Sequence, residues 1–153
     1  MGYPESLLAA ALIQVLRNFV KPRKLGLVSA PDGMLRLLAG RIRIPDVSFA
    51  SWDRIPDRKA PAESVPPIAP DLVVEVLSES NTPAEMERKR KEYFEAGVRV
   101  VWEVDPEPRT VTIYTPDGTV TVLGASQQLD GGDVLPGFSL ELGELFAELD
   151  EQG

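Results

Sequence analysis

Two acidic residues stand where acids are costly. Asp46 lies in IRIPDVSF (42–49) and Glu75 in DLVVEVLS (71–78), and both stretches are largely apolar. A carboxylate in such a run loses its hydration and persists only with a partner. The residue types absent from the chain narrow what that partner and its chemistry can be. There is no histidine and no cysteine. Histidine metal triads, Ser–His–Asp triads, Cys–His dyads, cysteine zinc sites and disulfides are therefore excluded. Any catalysis falls to carboxylates, Lys, Arg, Tyr, Ser or Thr. Carboxylates with other oxygen ligands suit Mg²⁺ or Mn²⁺. Two ionised carboxylates at short range repel, and one takes up a proton unless a cation lies between them. The competing reading is structural: each acid pairs with Arg41, Arg43 or Arg90, or with a backbone donor, and Asp46 closes a turn after Pro45. The residues alone leave both open.

Positioning such a pair requires a sheet. Leu72 to Leu77 is apolar on both parities apart from Glu75, the pattern of a central strand covered on both faces. Ile42 to Ala50 reads as another strand, and if the two are neighbours Asp46 and Glu75 come together. Leu25 to Ser29, Met34 to Leu38 and Val98 to Val104 are further strands, while Thr110 to Tyr114 and Thr119 to Leu123 form a hairpin around PDG (116–118). Ser6 to Val20 repeats Leu8, Leu12, Val15, Leu16 and Phe19 at helical spacing. A second helix starts at Thr82, Pro83 and Glu85, which fit N-cap, first-turn proline and capping-box acid, and it stops at Gly97. Its buried stripe runs through Met86, Tyr93 and Phe94, with Arg90 oddly in the middle. Tyr93 reads as core. Ser78 is expected to bond Glu75 or to cap the strand end. LDGGDVLPGFSLEL (129–142) reads as a loop with one short strand, and Leu142 to Leu149 as a closing helix that leads into an acidic tail. Residues 51–70 hold five prolines and little periodicity, a long loop of the kind that is often functional. The order α, strands, α, strands predicts a mixed α/β fold, a central mixed sheet flanked by helices.

The 153 residues suit one domain, taken here as 1–153. No apolar run reaches the length of a membrane span, and MGYPES lacks the basic start of a signal peptide. A cytoplasmic location is the expectation. The formal charge of −8 is unevenly placed: all 16 Lys and Arg lie at or before Arg109, where they balance 16 acids, and the other 8 acids follow with no base among them. Net charge therefore neither supports nor excludes nucleic-acid binding.

RIPDVSF (43–49), PDLVVEVLSESN (70–81), KRKEYFEAGVRVVWEVDP (89–106) and LPGFSLEL (135–142) together resemble the Uma-two family of restriction endonucleases. That family falls in the PD-(D/E)XK nuclease superfamily. The resemblance runs from residue 2 to about 147 and implies a restriction-endonuclease-like core. It implies a Mg²⁺- or Mn²⁺-dependent endonuclease acting on DNA, yielding a 5′-phosphate and a 3′-hydroxyl, and commonly a homodimer. Carried over, Asp46 and Glu75 are the metal ligands, with the Val76 carbonyl as a further oxygen. The superfamily lysine two places after the second acid is absent: Leu77 stands there. The resemblance instead implies a lysine displaced to the following helix, Lys89. It also implies a segment before the first helix and a histidine near that helix's start, where Glu5 or Ser6 stands here. On the helix, Lys89 sits at the edge of the buried stripe, while Lys91 turns toward solvent. A fold that has lost activity and serves as a binding or regulatory module is the alternative expectation.

Overall fold

The computed structural model of the chain describes residues 1–153, the side chain of Ala39 excepted. The first helix, α1, spans Tyr3–Val20. It begins before Ser6 because Pro4 occupies the first turn, where its missing N–H has no partner to lose. Leu8, Leu12, Leu16 and Val20 recur every four residues and are fully buried. That stripe lies against Leu72, Val74, Val76, Trp102 and Val104 of the sheet. Burying each such side chain contributes about 1.5–3 kcal/mol before entropy is counted.

The strands are β1 (Gly26–Ser29), β2 (Leu35–Arg36), β3 (Ile42–Arg43), β4 (Val47–Ser51), β5 (Leu72–Val76), β6 (Val100–Asp105), β7 (Thr110–Tyr114), β8 (Val120–Gly124), β9 (Gln128–Asp130) and β10 (Ser139–Glu141). Six of them form the central mixed sheet in the order β1-β4-β5-β6-β7-β8. Only β5 and β6 are parallel, and the crossover between them is helix α2, Pro83–Glu95. One face of the sheet meets α1. The other carries Ala50, Val73 and Val101 against Tyr93 of α2, with Leu35, Leu37, Ile55, Ile68 and Val98.

Two expected strands are shorter than the sequence suggests. Ile42 to Ala50 is broken at Pro45, which has no N–H for a ladder. Its first part, β3, pairs instead with β2 in a separate two-stranded hairpin, and β4 begins only at Val47. Met34 to Leu38 keeps just Leu35–Arg36 as strand, followed by a 3₁₀ turn at Leu38–Gly40. The 129–142 segment contributes to two strands rather than one, because β9 and β10 pair with each other. The closing helix α3 ends at Phe146, and a 3₁₀ turn continues through Asp150.

Helix α2 starts with the expected capping box between Thr82 and Glu85. It ends in a Schellman motif: the Val98 N–H reaches the Tyr93 carbonyl, and the Gly97 N–H that of Phe94. Gly97 at φ 103° takes the left-handed position that side chains resist. The 51–70 loop is not structureless. It makes 3₁₀ turns at Trp52–Arg54 and Pro56–Arg58, and it buries Ile55 and Ile68. Among the described residues no helix is long and apolar enough to cross a membrane.

Candidate active site

The sheet register decides where the two acids stand. Strands β4 and β5 pair antiparallel with Phe49 opposite Leu72, Ser48 opposite Val73 and Val47 opposite Val74. One step further puts Asp46 opposite Glu75. Side chains of directly opposed residues share a face, so both acids point to the α2 side. Strand β6 then sets Glu103 beside Glu75. Three acids thus cross three neighbouring strands on one face.

The Asp46 carboxylate accepts the Val76 N–H at 2.7 Å, closing the open end of the β4–β5 ladder. Glu75 is 5% exposed, and its Oε1 accepts the Tyr93 hydroxyl at 2.7 Å. The two carboxyl groups are near enough that each affects the proton affinity of the other. Burial drives the Glu75 pKa up to about 7; the Tyr93 hydrogen bond pulls it back, the Asp46 charge raises it further, and Lys89 lowers it. Burial likewise raises Asp46, against the Val76 N–H and the Lys89 charge. Tyr93 is raised by its own burial and by the negative Glu75 beside it.

The arginines go elsewhere. Arg43 bonds Glu92 through Nε at 2.7 Å and also through Nη2. Arg41 lies 3.6 Å from Glu92 and 3.7 Å from Glu95. Arg90 bonds Glu103 at 2.5 Å and stacks 4.0 Å over the Tyr114 ring. Arg90 is thus odd in the stripe because it answers a buried acid. None of these arginines neutralises Asp46 or Glu75.

Lys89 reaches Glu85 Oε1 at 3.8 Å with its side chain 29% exposed. Its charge favours the ionised forms of Asp46, Glu75 and Glu103 alike. Lys91, two places on, is exposed. Ser78 does not bond Glu75; its N–H and hydroxyl go to Asn81, and its hydroxyl also meets Ser80. Leu77 gives its N–H to Val104 and offers no charge. Tyr93 is core, as its place in the stripe predicts, but it is also the group that fixes one Glu75 oxygen. Glu103 went unnoticed in the sequence, though it carries the same signal as Glu75, an acid inside an apolar strand.

Among the described residues no group of three or more His, Cys, Asp or Glu side chains is placed to hold a metal. The third acid, Glu103, is taken by Arg90, leaving a two-carboxylate set. Such a set fits Mg²⁺, which keeps several waters and takes one or two carboxylates. A cation between Asp46 and Glu75 would offset the burial cost and the mutual repulsion that raise the Glu75 pKa.

The Uma2 family, described as "Putative restriction endonuclease", matches residues 1–143. The chain belongs to the Uma2 family. A crystal structure of a putative nuclease belonging to DUF820 from Anabaena variabilis ATCC 29413 superposes with a TM-score of 0.86. It is 22% identical, and the match covers 97% of this chain and 83% of that one. That likeness shows the fold. No curated protein matches the chain. The Uma2 match spans all three acids and α2, so the acid pair and its neighbours lie wholly inside the family region.

Proposed function

We propose that this Uma2 chain is a Mg²⁺-dependent endonuclease that hydrolyses phosphodiester bonds in DNA. The observation that carries the reading is the Asp46–Glu75 pair: a buried Glu75 and a part-buried Asp46 opposite each other on one face of the sheet, with no arginine paired to either. Asp46 and Glu75 would hold the ion, with the Val76 carbonyl as a further oxygen ligand. The cation, when bound, supplies a more acidic water and neutralises the scissile phosphate. Lys89 orients the attacking water and offsets charge as it builds on the phosphoryl oxygens. Val76 holds the Asp46 carboxylate from behind, and Tyr93 turns Glu75 so that one oxygen stays free. The products are a 5′-phosphate and a 3′-hydroxyl. The protein works as a homodimer in the cytoplasm, where DNA and Mg²⁺ are both at hand.

A second reading, an inactive fold kept as a binding module, draws on Leu77 at the usual lysine position and on the Lys89–Glu85 contact. Plasmid nicking with and without Mg²⁺ separates the two. Wild type should nick only with metal. Asp46→Asn and Lys89→Ala should each lose about 10²-fold or more of the rate, as removal of a preorganised charge does. Lys91→Ala should stay within a few-fold. Metal-independent nicking, or none by wild type, overturns the endonuclease reading.

A further inference from the structure

The β2–β3 hairpin turns two different faces to its surroundings. Its register sets Leu35 opposite Arg43 and Arg36 opposite Ile42. Leu35 and Leu37 are buried inward, and Arg43 is tied to Glu92 of α2. Arg36 and the opposed Ile42 share the outward face, and Met34, Leu38 and Ile44 flank the strands; Met34, Leu38, Ile42 and Ile44 are 37%, 62%, 44% and 49% exposed. Among the described residues, four of the eight exposed large apolar side chains thus lie between residues 34 and 44. The ribbon runs through Pro45 straight into Asp46, so Ile44 lies two residues from the acid pair. Three arginines, Arg36, Arg41 and Arg43, are on the hairpin.

Another opening near the site has the opposite character. A cleft of about 780 Å³ borders the Arg90–Glu103 pair, and its lining includes Glu5, Glu79, Asp105 and Glu107. Its one base, Arg90, is already committed to Glu103. A phosphate backbone is repelled there and attracted to the arginines of the hairpin.

We infer that the outward face of the 34–44 hairpin is a DNA-docking element, with Ile42 and Ile44 entering the duplex as an apolar wedge beside the scissile phosphate. This rests on the endonuclease reading and names how its substrate is gripped. Isoleucine, leucine and methionine side chains serve as wedges that partly unstack a base step, while neighbouring arginines take the phosphates. Arg36 is exposed and makes no ion pair among the described residues. The half-exposed Arg41 can leave Glu92 and Glu95 at little cost. Unstacking at the step beside Asp46 loosens the strand that must reach the carboxylates.

The test uses wild-type protein in metal-free buffer with short mixed-sequence DNA duplexes carrying 2-aminopurine. Its fluorescence rises when the base unstacks, and anisotropy reports binding. Wild type should bind and raise the fluorescence. The double variant Ile42→Ser, Ile44→Ser changes only exposed positions; it should erase the rise and weaken binding about tenfold, a loss of about 1.4 kcal/mol. Arg36→Ala should weaken binding without erasing the rise, and lower the salt slope by about one. Glu79→Gln, in the acidic cleft, should leave the rise intact. Wild-type binding and fluorescence in the double variant would overturn the wedge while the endonuclease reading stands. So would sedimentation showing that the double variant splits a wild-type dimer, since the face would then belong to a second copy. A wild type that neither binds nor cuts DNA removes both.

Discussion

At the residue scale, Glu75 is the most loaded side chain in the site. Its burial in the metal-free chain favours the proton, and its pKa stands at about 7 against 4.5 for an ordinary glutamate. Between those two values the folded chain binds more protons than the unfolded chain. The Glu75 contribution to the stability of the metal-free protein therefore falls as pH rises from about 4.5 to about 7. Asp46 is raised as well, and its contribution starts to fall from about 3.8. The drop should be on the order of a few kcal/mol, since a tenfold change in proton affinity is worth about 1.4 kcal/mol. Urea melts across that window check it. Glu75→Gln should flatten most of the slope, and Mg²⁺ at neutral pH should restore stability by binding the folded state alone. A flat profile for wild type would remove the raised Glu75 pKa on which the fit to a cation rests. Asp46 and Glu75 were legible in the sequence because an acid in an apolar run has few explanations. The roles of Tyr93 and Glu103 were not, because a tyrosine in a helix stripe is ordinary core and its hydroxyl partner lies eighteen residues away.

At the element scale, α2 does more than cover the sheet. Met86, Lys89, Arg90 and Tyr93 fall on its inward side at steps of three and four, so a single helix delivers a lysine, an arginine and a phenol to three acids. Its C-terminal end is held by a second cluster around Asp71. That buried carboxylate accepts the Ser51 N–H at 2.7 Å and meets Arg54 at 3.0 Å and Arg99 at 3.6 Å. Arg54 also donates to the carbonyls of Ala69 and Gly97, tying the end of the proline-rich loop to the α2–β6 turn. Arg54→Ala leaves Asp71 buried with only Arg99 near, and should cost roughly 3 kcal/mol in denaturant titrations. Arg58→Ala removes only a solvent-exposed pair with Asp53, and should cost less than about 1 kcal/mol. Equal effects of the two would mean that the loop is not pinned there. The helices were readable from spacing and caps. The break at Pro45 and the short β2–β3 hairpin were not, because an apolar run with one arginine looks like a continuous strand until its partner is known.

At the scale of the whole molecule, one edge of the sheet is open. β8 is flanked only by β7, it carries no charge, and Val120 and Val122 are 55% and 60% exposed. Charges and prolines are the usual guards of such an edge. Because Thr119 points its carbonyl inward to Thr115, alternation turns the backbone groups of Val120 and Val122 outward. Antiparallel pairing of two copies about Thr121 would then match Val120 with Val122 twice over. The homodimer is expected to form here, leaving the hairpin free for DNA. Sedimentation should show a dimer in the micromolar range that Val122→Lys converts to monomer without loss of helix content. A monomeric wild type would count against the dimer.

The sequence alone determined which chemistry was possible. Without histidine or cysteine, and with two acids in apolar strands, a carboxylate site for a hard cation was the catalytic option the residues favoured, and periodicity placed those acids on strands and Lys89 on a helix. Only the tertiary structure decided which groups meet. Strand register put Asp46, Glu75 and Glu103 on one face, sent Arg90 to the third acid, and left the first two without an arginine. Register and pairing depend on contacts between segments far apart in the chain, and local pattern carries no record of them.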